Sequence, residues 1–199
     1  QESNAFIEQS ILAMELFRDV IDDQVEKIEK SYHQESIHRQ KELSWMKEDL
    51  IYIRDHKPKT FHQALQLFWL YALVAGCINY GRLDIVLGPF LQRDLEAKCI
   101  TWQQAYDMVH SLWVLIENRR TTVNGRIIVG GQGRENEEAC DTFTRLCLEV
   151  CKNTRFVEPQ FTLRFSKNTP QDIKEMACDC IASGATYPTL YNDDVNVEA

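Results

Sequence analysis

The chain has 199 residues, enough for one substantial domain or a large piece of a longer protein. It is 44% hydrophobic and 26% charged with only 8 Gly and 5 Pro, which excludes disordered, collagenous and linker-rich classes. Lys plus Arg number 22 against 30 Asp plus Glu, a net charge of −8 that repels phosphate backbones and excludes nucleic acid as the principal partner. The 7 cysteines, an odd count, point to reduced thiols and a cytoplasmic location. The longest apolar stretch, residues 67–78, is too short to cross about 30 Å of hydrocarbon, so no membrane role is expected. The chain opens on Gln1 rather than Met, so a segment is expected upstream.

Residues 1–57 are charge-dense, and up to His56 they lack Gly and Pro. Apolar side chains recur at helical spacing (Phe6, Ile7, Ile11, Met14, Phe17, Ile21, Val25, Ile28), predicting one or two long amphipathic helices with a break near 31–34. Pro58 marks the boundary to a second segment, 58–199. Thr60 is a suitable N-cap for a helix over 61–75 that is apolar on nearly every side and therefore expected to be buried. Gly76 ends it, and 77–80 reads as a short strand leading into 81–84. Helices follow at 89–98 and from Thr101, where Gln104 completes a capping box. A strand at 126–129 ends on Gly130 and Gly131. A helix at 137–152, a strand at 160–165, a helix capped by Thr169 with Pro170 in its first turn, and a strand at 187–191 complete the chain. This rhythm predicts an α/β fold with helical excess and a parallel sheet with right-handed crossovers.

In parallel α/β sheets functional groups gather at the carboxyl ends of strands, here 79–84, 130–133, 165–166 and 192–194. Gly131-Gln132-Gly133 resembles a dinucleotide-binding turn, but Asn136 replaces the third glycine. Glu135, Glu137 and Glu138 would also oppose a bound phosphate, so nucleotide binding is disfavoured. Cys140, Cys147 and Cys151 share one helical face, too spread to hold one metal ion, and Cys178 and Cys180 diverge; all five read as buried apolar residues. His33, His38, His56, His62 and His110 are scattered without metal-binding spacing, and no metal site is expected.

Several segments together resemble the glycyl radical enzymes, the family of pyruvate formate-lyase. Residues 60–69 (TFHQALQLFW) are similar to the family's "tFhEALQ-x-x-wf" helix. Residues 81–84 (GRLD), 93–95 (RDL) and 100–105 follow in the family's order, as do Gly130-Gly131, 158–164 (EPQFTLR) and 191–194 (YNDD). The resemblance covers essentially the whole chain. It implies part of a ten-stranded α/β barrel made of two parallel half-sheets with helices outside, residues 58–199 forming a half-barrel segment.

It also implies anaerobic radical cleavage of a C–C, C–O or C–N bond in a small polar substrate, as in formate acetyltransferase or the glycyl radical dehydratases. The family's glycyl radical is installed by an S-adenosylmethionine-dependent iron–sulfur activase. Its thiyl cysteine loop and glycyl loop match no residues here, so no catalytic residue is assigned, no cofactor is expected in this segment, and the chain reads as an inactive middle piece of a homo-oligomeric enzyme. For a substrate-binding set the strand ends offer Cys77, Asn79 and Arg82 to hold a polar or anionic group, with Asn192 and Asp193 positioning the strand towards the cysteine loop. Arg82 and Arg164 are equally open to a role as buried ion-pair partners of Asp84 or Asp193. A non-catalytic helical scaffold or interaction protein is the alternative reading.

Overall fold

The computed structural model describes residues 2–121 and 125–196. Two compact units divide the chain, Gln1–Gly76 and Cys77–Ala199, so the helix after Pro58 belongs to the first.

The first unit is a three-helix assembly of α1 (Glu2–Tyr32), α2 (Ile37–Asp55) and α3 (Phe61–Val74). The break between α1 and α2 begins at His33, where Gln34 N–H donates to the Ser31 carbonyl and the Ser36 hydroxyl caps α2 by accepting from Arg39 N–H. Thr60 caps α3 in the same way, accepting from Gln63 N–H at 3.2 Å. Ile21, Ile28, Leu43, Leu50, Ile53 and Leu70 form the shared core. Asp49, buried on α2, accepts from Gln63 Nε2 at 2.7 Å and pairs with His62 Nδ1 at 2.6 Å, fixing α3 against α2. The expectation that α3 is buried all round holds for one side only: Phe61, Ala64, Leu65, Leu70 and Ala72 are buried while Tyr71, Leu73 and Val74 are exposed. Two partner helices can cover only part of a helix circumference. The first half of α1 is likewise uncovered, with Phe6, Ile11 and Met14 exposed.

The second unit is a four-stranded, all-parallel sheet in the order β1 (Gly81–Arg82), β2 (Arg126–Gly130), β3 (Gln160–Phe165), β4 (Thr189–Asn192). The crossovers carry α4 (Leu83–Glu96), α5 (Trp102–Asn118), α6 (Glu137–Asn153) and α7 (Gln171–Ala182); a single turn, α8 (Asp193–Asn196), follows β4. α6 is the central helix, packed against α4, α5 and α7, with Phe143, Leu146, Cys147 and Leu148 fully buried. Gly88 sets the α4–α6 approach: a Cβ there would lie 2.6 Å from the Ala139 carbonyl oxygen. The capping box at the start of α5 is formed as expected, Thr101 and Gln104 bonding reciprocally.

The structure corrects four boundaries. β1 is Gly81–Arg82 rather than 77–80, because the ladder to β2 runs from Gly81↔Ile127 to Arg82↔Ile128. α4 begins at Leu83 and runs through Pro89, its first turn held by the buried carboxylate of Asp84. Thr169 does not cap α7: its hydroxyl accepts from Ser166 N–H at 2.9 Å, and Pro170 occupies the cap position without a side-chain bond. β4 starts at Thr189, two residues later than expected. The helix-rich α/β class with a parallel sheet stands, but the four strands among the described residues form an open sheet, not the ten-stranded barrel.

Candidate functional site

A parallel sheet covered on both faces reads as continuous apolar runs. β3 instead alternates Gln160, Thr162 and Arg164 with Phe161, Leu163 and Phe165. Phe161, Leu163, Ile127 and Val129 are buried, and Trp113 of α5 packs on Phe161 with ring centroids 5.3 Å apart, so the helices cover this side. The register places Arg82, Ile128, Thr162 and Thr189 in one row and Gly130, Arg164 and Tyr191 in the next, all on the opposite face. That face is partly or fully exposed at Arg82, Ile128, Thr162, Arg164, Thr189 and Tyr191. Across β2 and β3 the sheet thus has one apolar covered face and one more polar open face, while Leu190 of the edge strand β4, on the apolar side, stays exposed.

A network of charges rims the carboxyl edge of the open face. Asp84 is fully buried. Its carboxylate accepts from Arg82 Nε at 3.2 Å, Arg82 Nη2 at 3.1 Å and Gly130 N–H at 2.9 Å, and Arg134 Nη1 lies 3.6 Å away. Arg82 Nη2 also donates to the Gly130 carbonyl at 2.6 Å, and Arg134 Nη2 to Asp141 at 2.7 Å. Burial opposes the Arg134 charge, but the hydrogen bond to Asp141 and the fields of Asp141 and Asp84 outweigh it and raise its pKa. Two arginines and two aspartates leave this cluster neutral.

A second pair joins β3 to the segment after β4. Arg164 Nε donates to Asp193 Oδ1 at 2.8 Å, and Asp193 Oδ2 accepts from Gln132 N–H at 3.3 Å. Gly130 and Gly131 permit this crowding. Both have positive φ, +78° and +87°. A Cβ on Gly130 would strike the Arg164 carbonyl, and one on Gly131 would lie 2.7 Å from Asp193 Oδ2. Arg164 Nη1 and Nη2 make no hydrogen bond among the described residues, and its side chain is 33% exposed, so donors remain on the open face.

Three of the five expected substrate-binding residues meet at the carboxyl edge. Arg82 and Asp193 stand in ion pairs, and the Asn192 Oδ1 accepts from Asp194 N–H at 3.0 Å. Cys77 and Asn79 are not brought there. Tyr80 N–H donates to Arg126 O, level with the start of β2, and Arg119 Nη1 donates to the Cys77 carbonyl at 2.6 Å, so these residues precede the amino edge. Their displacement follows from the corrected start of β1. Asn79 Oδ1 accepts from Gly81 N–H, shaping the entry to that strand.

Reasoning from strand ends alone missed Thr162, Ile128 and Tyr191 on the open face. The period-two alternation of 160–165 was the signal for the first of these. The missed Arg134 and Asp141 meet across the loop at 134–136 and about one turn of α6, with no local signature in sequence.

The Gly131-Gln132-Gly133 turn holds its own side chains where a phosphate would lie: Gly133 N–H donates to Glu137 and Ala139 N–H to Asn136. Cys140, Cys147, Cys151 and Cys180 are buried, whereas Cys178 is exposed, against expectation. Burial, reinforced by the Asp84 charge, pushes the Cys140 thiol up to about 11. Among the described residues no group of three or more His, Cys, Asp or Glu is placed to hold a metal ion, and no helix is long and apolar enough to cross a membrane.

A family model described as "PFL-like: Pyruvate formate lyase-like" matches residues 1–199. The (2S)-3-sulfopropanediol dehydratase of Klebsiella oxytoca is 31% identical over 190 residues, covering 85% of this chain and 23% of that protein. A solved structure on 1,2-propanediol dehydration in Roseburia inulinivorans superposes with a TM-score of 0.85 at 19% identity, over 97% of this chain and 27% of that one. A glycyl radical enzyme from Archaeoglobus fulgidus superposes at 0.79 with 24% identity, over 93% of this chain and 26% of that one. The chain therefore spans about a quarter of the length of the proteins it matches. From its family match, and with a parallel sheet bearing one open polar face, the chain belongs to the pyruvate formate lyase-like family.

Proposed function

We propose that this chain forms one wall of the reaction chamber of a glycyl radical enzyme, and that the complete protein is a radical dehydratase or lyase acting on a small polar substrate. The observation that carries this reading is the open, polar face of a parallel sheet, an arrangement that isolated α/β domains cover with helices. Dehydratases among the relatives favour elimination over acyl transfer. A barrel interior excludes water and oxygen, and a stored radical supplies hydrogen abstraction there.

This chain's own residues supply walls and frame. Thr162, Tyr191 and the free nitrogens of Arg164 present hydrogen-bond donors to the chamber, and Arg82 keeps the Gly130 edge in place. Asp193, clamped by Arg164, and Asn192 fix the direction in which the chain leaves β4, towards the loop that would carry the thiyl cysteine. Cys77 and Asn79 would reach substrate only if it extends to the amino edge. The radical partner is an S-adenosylmethionine-dependent iron–sulfur activase, and a cytoplasmic homo-oligomer is the expected setting.

The test uses the complete reading frame. It should encode a cysteine loop soon after residue 199 and an Arg-Val-x-Gly-Tyr-like segment near its end. The full protein, co-incubated anaerobically with its activase, should show a glycyl radical by electron paramagnetic resonance and turn over a small diol or hydroxy acid. Thr162→Leu should lower turnover with the radical signal unchanged. A frame lacking the cysteine and glycine loops, or turnover in air without activase, would overturn the reading.

A further inference from the structure

We propose that the open face of the sheet selects a substrate carrying an anionic oxyacid group, a carboxylate or a sulfonate, and that Arg164 is the residue that reads it. This rests on the reading above, in which the face lines the reaction chamber. In a chain of net charge −8, the strand positions of this face hold Arg82, Arg126 and Arg164 and no Asp or Glu.

The two arginines nearer the carboxyl edge stand in ion pairs, and in both pairs the carboxylate is the buried partner. The side chains of Asp84 and Asp193 are 0% and 4% exposed, those of Arg82 and Arg164 25% and 33%. The cationic end of each pair therefore meets the chamber, and the buried carboxylate holds it in one orientation. Arg164 gives only Nε to Asp193, at 2.8 Å. Its Nη1 and Nη2 remain, and their two N–H bonds match the paired oxygens of a carboxylate or sulfonate. Arg82 Nη1 is likewise without a hydrogen bond among the described residues, and its Nη2 reaches the Gly130 carbonyl, in the row of Arg164. In that row β2 puts no side chain between the two arginines, because its residue is Gly130. Gly131 leaves Arg164 uncovered, since a Cβ there would lie 3.3 Å from Arg164 Nε. Thr162 precedes Arg164 on the same face of β3, and Tyr191 stands beside it on β4. The wall thus offers a fork for one anionic group and hydroxyls for an alcohol, which fits a short hydroxy acid or hydroxy sulfonate better than an uncharged diol. Arg126 stands apart at the amino edge, about 13 Å along β2 from the row of Arg164.

The test uses the complete protein, first without its activase, so that binding is read apart from radical chemistry. Calorimetric titrations compare glycerate and 3-sulfopropane-1,2-diol with glycerol, which shares their hydroxylated skeleton without the charge. At least one anion should bind roughly 10- to 100-fold more tightly than glycerol. Arg164→Lys keeps a cation opposite Asp193 but removes the fork. It should erase most of that preference and leave glycerol binding within about twofold, a split that general loss of structure would not produce. Arg126→Gln, which removes one charge at the amino edge, should leave the preference intact. In the activated enzyme Arg164→Lys should raise KM for the preferred anion with the glycyl radical signal unchanged. If neither anion binds more tightly than glycerol, or if the preference survives Arg164→Lys and falls in Arg126→Gln, the inference is wrong. The first comparison needs only the unsubstituted protein, so it decides even if Arg164→Lys does not fold. Absence of a glycyl radical after activation would instead strike the chamber reading, a result the titrations do not depend on.

Discussion

Replacing Asp84 by Asn isolates what the buried carboxylate contributes. Asn retains an oxygen for Gly130 N–H but removes the charge that balances Arg82 and Arg134. Arg82 is 25% exposed and can turn part of its charge to water. Arg134 is only 5% exposed and cannot, and two of its nitrogens already lack hydrogen-bond partners. Stranding one member of a buried ion pair costs roughly 3–5 kcal/mol. Arg134 keeps its 2.7 Å contact with Asp141, which places the expected loss at the lower end, about 3 kcal/mol. With a urea slope of about 2 kcal/mol/M, the midpoint of the second unit should fall by about 1.5 M. The fall should persist at about 1 M salt, because a buried pair is weakly screened. Arg82→Met should cost less, about 1 kcal/mol, since Asp84 then still faces Arg134 and Gly130. An Asn variant within about 0.5 kcal/mol of the parent, or Arg82→Met as the costlier change, would refute the reasoning.

Gly130→Ala should destabilise by about 2 kcal/mol or more in the same urea experiment, because it combines a positive φ with a clash against the Arg164 carbonyl. Cys140 holds its proton to about pH 11 when folded against 9.0 when unfolded. Stability from this group is therefore full below the unfolded value and declines as pH rises from it towards 11; urea midpoints of the parent should drop over that window more than those of Cys140→Ala. Asp172 is held below its ordinary 3.8 by Arg145, so Asp172→Asn should matter little, within about 0.5 kcal/mol, an effect full above that pH and lost as pH falls from it through the lowered folded value, as thermal melts at acid and neutral pH would reveal. The uncovered face of α1 should bind a hydrophobic dye in the isolated chain, and Phe6→Ser with Ile11→Ser should reduce the fluorescence; an unchanged signal would place the dye elsewhere.

The helices with local caps or periodicity were legible: Thr60, Thr101 and the Gly-free run before His56 each mark their element without help from distant residues, whereas the start of α4 and the cap of α7 were not. β1 was misplaced for the opposite reason. An apolar stretch before Gly81 looks like a strand, but only pairing with β2 decides which two residues join the ladder. That single shift carried Cys77 and Asn79 to the wrong edge of the sheet. The ion pairs were half legible: Arg82 and Asp84 lie two apart, and the partnership of Arg164 with Asp193 was one of several open pairings. Arg134 escaped notice because the residues it joins come together only when α4 and α6 close at Gly88.

The strand order has a consequence for how the polypeptide comes off the ribosome. Every pairing in the sheet joins strands that are successive in the chain. Within the described sheet no strand waits for a partner beyond the next one made, and each new strand–helix segment docks on its predecessor. Vectorial synthesis and assembly therefore run in the same direction, each new strand pairing on the edge left by the one before it.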